Sequence, residues 1–184
     1  NHISKEDKYT FALQELSSYL GLKNIKKIEG YDVSHFSGDN AVASCVVFSS
    51  EGPEKKNYRL FNIPRDLSGN DIGSLEHVME RRIKYYADPE LKPDVILIDG
   101  GKNQLNFVKS IINKSDHHDI KVISIVKGSK RVRATETIIS EDGIIELDKY
   151  SKAFLILQEI RDESHRFAIR AQRNKKRKKI SQSE

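Results

Sequence analysis

Asp94-Val-Ile-Leu-Ile-Asp99, followed at once by Gly100-Gly101-Lys102, is the stretch on which the fold turns. Four apolar residues without polar alternation read as a strand covered on both faces, the situation of strands in parallel sheets. The glycine pair turns the chain sharply, and Leu105, Val108 and Ile112 then recur at helical spacing. A further apolar run, Lys121 to Val126, predicts a second buried strand. Strand, helix and strand in this order make a parallel pair joined by a crossover helix.

Towards the N-terminus the pattern changes. Lys26 to Val33, Ala41 to Phe48 and a segment near Asn57 to Ile63 read as three strands. They are joined by the turn formers His35-Phe-Ser-Gly-Asp-Asn40 and Glu51-Gly-Pro53, which predicts an antiparallel meander. A helix precedes them: Ser4-Lys-Glu-Asp7 has capping-box spacing, Tyr9, Ala12, Leu13, Leu16 and Leu20 form one face, and Gly21 stops it. After the loop Pro64 to Asn70, a second helix is predicted from Asp71 to Tyr86, with Pro89 and Pro93 beyond it. Towards the C-terminus, Thr135 to Leu147 reads as a hairpin about Glu141-Asp142-Gly143. A last helix runs from Ser151 to Arg173 on a stripe of Ala153, Leu157, Ile160, Ser164, Ala168 and Ala171. The fold class is α/β: a mixed sheet, three antiparallel strands followed by parallel strands, with helices on both faces.

The bulk properties fit one domain. The chain has 184 residues, 37% of them hydrophobic and 32% charged, and its apolar residues are clustered. No apolar run is long enough to span a membrane, and the N-terminus has no signal-peptide core. The chain does not begin with Met, which suggests a piece of a longer protein. The single cysteine, Cys45, lies in the apolar run Val42 to Phe48 and reads as a buried thiol, so a cytoplasmic location is expected. The net charge of +5 is uneven: residues 166–184 hold eight Lys or Arg against one Glu, whereas residues 1–165 hold 24 basic and 26 acidic side chains.

Two acids stand out. Asp32 and Asp99 each lie at or near the end of an apolar run in mid-sheet. A carboxylate there must reach solvent or meet a cation, because burying it alone is costly. Together they suit a Mg²⁺ or Mn²⁺ site, since hard ions prefer oxygen ligands; the same pattern also suits plain strand-end acids. His165, one residue beyond the stripe at Ser164, sits at the helix margin, where it either looks into a cleft or rests on the surface. His2, His77, His117 and His118 show no ligand spacing, and there is no Cys-x-x-Cys or His-Glu-x-x-His, which argues against zinc. Gly100-Gly101-Lys102 is not a Walker A loop, yet it opens a helix whose N-terminus can attract phosphate, with Lys102 adding charge. Arg166, Arg170 and Arg173 share one helical face, and Lys175, Lys176 and Arg177 continue the basic run with Lys178 and Lys179. Such a face suits a DNA backbone, or else a solvated helix end leading into a linker.

Taken together, Glu29-Gly-Tyr-Asp-Val-Ser-His35, Asn40 to Phe48, Tyr58-Arg-Leu-Phe-Asn-Ile63, Leu97-Ile-Asp-Gly-Gly-Lys-Asn-Gln-Leu105 and Leu157 to Ile169 are collinear with one family. From about residue 26 to residue 178 the chain resembles the C-terminal RNase H-like endonuclease domain of the bacterial excinuclease subunit UvrC. The resemblance implies an RNase H-like fold and a metal-dependent endodeoxyribonuclease that makes the 5′ incision of nucleotide excision repair. It implies damaged double-stranded DNA as substrate, the UvrB-DNA complex as partner of the full-length protein, and no membrane partner. By position it implies an Asp-Asp-His set of Asp32, Asp99 and His165 holding Mg²⁺ or Mn²⁺, with a further family acid at Asp71. The local sequence departs at Val132-Arg-Ala-Thr-Glu-Thr137, where a Pro-Gly pair is usual. The organisation expected is a helix packing on the domain over 1–25, the nuclease domain over 26–173, and a basic tail over 174–184 leading towards a helix-hairpin-helix module that the chain does not include. Two other readings suit the residues: another RNase H-like nuclease such as a Piwi-type slicer, and a non-catalytic DNA-binding module.

Overall fold

The computed structural model describes residues 4–35, 41–126 and 135–183. Residues 36–40 of the expected turn, and residues 132–134 of the stretch in which the chain departs from the family pattern, lie outside these residues.

Helix α1 spans Lys5–Leu20. The Ser4 hydroxyl accepts from the Asp7 N–H at its start, and Gly21 closes it in the left-handed conformation. Strands β1 (Lys27–Ser34) and β2 (Val42–Ser49) pair antiparallel along their whole length. The outer edge of β2 then receives two short strands in succession, β3 (Gly52–Pro53) and β4 (Arg59–Asn62), separated by one turn of 3₁₀ helix. The third strand of the meander is therefore shorter than its expected run, because the 3₁₀ turn takes up Asn57 at its start.

Helix α2 (Asp71–Arg82) follows and tightens into 3₁₀ over Ile83–Ala87, so the α-helical part ends four residues before Tyr86. Strand β5 (Val95–Ile98), helix α3 (Lys102–Lys114) and strand β6 (Lys121–Ile125) form the expected parallel crossover unit. The hairpin β7 (Thr135–Ser140) and β8 (Gly143–Asp148) extends the sheet, and α4 (Lys152–Ser183) ends the chain. Strand order is β3-β2-β1-β5-β6-β7-β8, with β4 also on β2. β1 thus has an antiparallel neighbour on one side and a parallel one, β5, on the other.

Each face of the sheet has its own core. Ile28, Val46, Phe48, Val95, Leu97 and Ile123 pack beneath α1 and α4, and the predicted α1 face (Tyr9, Ala12, Leu13, Leu16, Leu20) is buried there. Tyr31, Cys45, Val47, Ile96, Ile98 and Val122 pack beneath α2 and α3. Cys45 is fully buried, which pushes its thiol pKa well up and keeps it protonated. Among the described residues no helix is long and apolar enough to cross a membrane.

Candidate active site

The alternation of β1 decides which acids meet which helix. Ile28, Gly30 and Asp32 face α4, whereas Glu29 and Tyr31 face α2. The parallel register pairs Tyr31 with Ile98, so the next residues along the two strands are Asp32 and Asp99. The Asp99 N–H donates to the Tyr31 carbonyl at 3.3 Å. Val95 and Leu97 share the α4-side core, which places Asp99 on the same face as Asp32. Two acids therefore stand side by side at the carboxyl ends of adjacent strands.

Helix α4 brings the imidazole. Its backbone lies close over β1 because residue 30 is glycine: a Cβ there would stand 2.5 Å from Ile160 Cγ2. The Ser44 hydroxyl donates to the Ser164 carbonyl at 2.6 Å, and His165 Nδ1 lies 3.0 Å from Asp32 Oδ2. Further along, the Gln172 amide donates to the Ser34 carbonyl at 3.0 Å, and Lys175 Nζ donates to Asn62 Oδ1. The helix is thus stitched across the strand end that carries Asp32. Asp32 is 7% exposed, while the His165 side chain is 61% exposed. Against an ionised carboxylate, which only accepts hydrogen bonds, Nδ1–H is the donor.

Asp71 is placed elsewhere. The N-cap of α2 is Asn70, whose side chain accepts from the Gly73 N–H at 2.9 Å. Asp71 is the first helical residue and lies 2.8 Å from His35 Nε2. Among the described residues no three His, Cys, Asp or Glu side chains form a ready metal-binding group. What the strands and α4 bring together is the Asp32–His165 pair with Asp99 as its neighbour.

The Gly100-Gly101 turn is held by Ser124, whose hydroxyl donates to the Gly100 carbonyl, and by Gln104, whose side chain accepts from the Gly101 N–H at 3.0 Å. Lys102 follows as the first residue of α3 and is exposed. The helix α4 runs ten residues past its predicted end at Arg173, so the basic run is helical to Ser183. His165, Arg166, Arg170, Arg173 and Arg177 line an open groove of about 470 Å³. Arg166 is paired with Glu163; Arg170, Arg173, Lys176 and Arg177 are exposed, and Lys175 is held against β4 by Asn62.

A buried cluster on the opposite face of β1 leaves no signal in the sequence pattern. The Glu29 carboxylate is fully buried and accepts from Arg82 Nη2 at 2.6 Å and Nε at 3.1 Å. It also accepts from the hydroxyls of Tyr86 at 2.5 Å and Tyr31 at 2.7 Å. Burial, with the charge of Glu29 adding to it, raises both tyrosine pKa values, so the hydroxyls stay protonated donors.

The model of the UvrC RNase H endonuclease domain matches residues 17–169 of this chain. The chain belongs to the UvrC family. UvrABC system protein C of Legionella pneumophila (strain Paris) is 42% identical over 180 residues, covering 96% of this chain and 29% of that protein. Its counterpart in Pseudoalteromonas translucida (strain TAC 125) is 38% identical over 183 residues, covering 98% and 30%. The chain therefore spans about three-tenths of the length of these UvrC relatives. Among solved structures, the catalytic domain of human Endonuclease V superposes with a TM-score of 0.54 at 13% identity, covering 92% of this chain and 98% of that one. Endonuclease V of Bacillus subtilis gives 0.51 at 13% identity, covering 97% and 96%. At such identity the likeness is one of fold, and the UvrC domain has the RNase H-like fold.

Proposed function

We propose that this UvrC domain hydrolyses a DNA phosphodiester with the help of a divalent metal, making the cut 5′ to a lesion in nucleotide excision repair. The observation that carries the reading is the Asp32–His165 contact: a carboxylate 7% exposed in mid-sheet, 3.0 Å from an imidazole 61% exposed, beside Asp99. A purely structural acid has little reason to occupy that position with a solvent-facing titratable partner.

The donor chemistry fits Mg²⁺ or Mn²⁺, with two carboxylates on adjacent rigid strands and one imidazole at their edge. Asp32 and Asp99, with His165 as third ligand or close neighbour, would hold the ion, which when bound polarises the phosphate and acidifies a water. The chain itself supplies the rest. Strand β1 and the end of β5 hold the two carboxylates, which lowers the cost of ordering them around a substrate. The Nδ1–H bond to Asp32 orients the imidazole, and Nε2 is then suited to take up or deliver a proton. Asp71 belongs to the same catalytic set by family position. The arginine face of α4 (Arg166, Arg170, Arg173, Arg177), with Lys102, Lys175 and Lys176, offers a sequence-neutral grip on phosphates. In the full-length protein the substrate is damaged duplex presented with UvrB.

The test is an incision assay with the full-length protein on a duplex carrying one defined lesion. Asp32→Ala and Asp99→Ala should each abolish the 5′ cut while leaving the thermal melt of the domain intact. Wild-type cutting by either variant refutes the assignment.

A further inference from the structure

His35 stands one residue past the end of β1 and three past Asp32. Its ring bridges two points of the chain segment that leads into α2. Nδ1 accepts from the Gly69 N–H at 3.2 Å, and Nε2 lies 2.8 Å from Asp71 Oδ1. A ring nitrogen that accepts carries no proton, so the hydrogen is on Nε2, where it donates to the carboxylate. One tautomer satisfies both partners. The other tautomer, or a flipped ring, breaks at least one bond, and an imidazolium would set N–H against N–H at Gly69.

The segment that receives the ring is shaped for it. Gly69 has φ of +83°, a conformation side chains rarely adopt, and this aims its N–H. The Asn70 N–H donates to the Leu67 carbonyl at 2.9 Å, and the Asn70 side chain caps α2. The far end of α2 is fixed by Arg82 on Glu29. α2 is therefore pinned along β1 at both ends, antiparallel to it, with Asp71 at the strand end that carries Asp32. The Asp71 side chain is 56% exposed and that of His35 26%. The carboxylate is held at one oxygen and still presented to solvent.

We infer that His35 is a positioning residue: it fixes the Asp71 carboxylate beside the end of β1, the strand that carries Asp32. This rests on the reading of Asp71 as part of the catalytic set. An exposed carboxylate on a first helical turn samples several rotamers; a neutral donor with one allowed tautomer selects one of them. His35 does not touch the reacting atoms and acts through Asp71.

A double-mutant cycle in the full-length protein, read by the rate of incision and by thermal melting, tests this. His35→Phe keeps a ring and loses both hydrogen bonds, whereas His35→Gln offers an acceptor and a donor on one amide. His35→Phe should slow incision about tenfold, the low end of what loss of such supporting contacts costs, and His35→Gln should recover most of the rate. In an Asp71→Ala background His35→Phe should slow the reaction no further. Additive losses, or a rate that follows the melting temperature rather than the identity of the donor, overturn the inference and leave His35 a structural tie. Impairment by Asp71→Ala with full activity of His35→Phe overturns it as well, while the catalytic reading of Asp71 survives. Wild-type incision by Asp71→Ala overturns both together, and the Asp32→Ala control shows whether the nuclease assignment still holds.

Discussion

Glu29 and Asp32 lie three residues apart on one strand, both nearly inaccessible, and their surroundings differ in every other respect. Glu29 faces α2, where Arg82 and the hydroxyls of Tyr31 and Tyr86 enclose it in a network of short hydrogen bonds. Asp32 faces α4, at the strand's end, against an imidazole that is largely in solvent. The first carboxylate is neutralised permanently by a buried guanidinium. The second is left in contact with an imidazole open to solvent. Two acids buried on one strand are set apart by what each is paired with.

The largest expected effects come from making both acids neutral. Asp32→Asn should reduce incision about a thousandfold, roughly 4 kcal/mol of barrier, with little change in melting. Glu29→Gln should do the reverse: it strands the Arg82 charge in the core and costs about 3 kcal/mol of stability, read by chemical denaturation. A Glu29→Gln protein as stable as wild type would remove the distinction drawn between the two faces. A subtler break is Gly30→Ala, whose added methyl meets Ile160 and should lever α4 away from β1. Overpacking of this kind costs on the order of 1–3 kcal/mol, and here incision should fall as well, because His165 rides on the displaced helix. The smallest effects lie on the arginine face. Each of Arg170→Gln, Arg173→Gln and Arg177→Gln should flatten the log–log salt dependence of DNA binding by about 0.9, measured by fluorescence anisotropy, without altering the melt. An unchanged slope would return these side chains to the solvated surface.

Much of this was legible because it rests on local pattern. Asp99 ends a run of four apolar residues and Asp32 interrupts another, and an acid in such a run advertises itself. The capped helix at Ser4 and the parallel unit about Gly100-Gly101 follow from spacing alone. Arg82 gave no such signal: it is one of 32 basic residues, and its partner lies 53 positions away. Gln172 was overlooked for a related reason. It continues the buried stripe four residues after Ala168, yet a polar side chain does not count towards an apolar stripe, and Ala171 was read in its place. At the start of α2, Asn70 and Asp71 are both good caps, and only the hydrogen bond to Gly73 decides between them. His35 was read as a turn former because the groups it joins are close only once α2 lies along β1. The length of α4 was missed because a run of Lys and Arg has the same composition whether it is a helix or a tail.

That length has a mechanical consequence. An α-helix of 32 residues is a rod about 48 Å long, and one such rod bears the imidazole of the site and the arginines beyond it. Lys175, tied to Asn62 on β4, lies on the same unbroken helix as His165, so a load on the basic stretch is shared with the turn that carries the histidine. If the arginines grip DNA and His165 takes part in the cut, a ligand seated askew on the first is presented askew to the second.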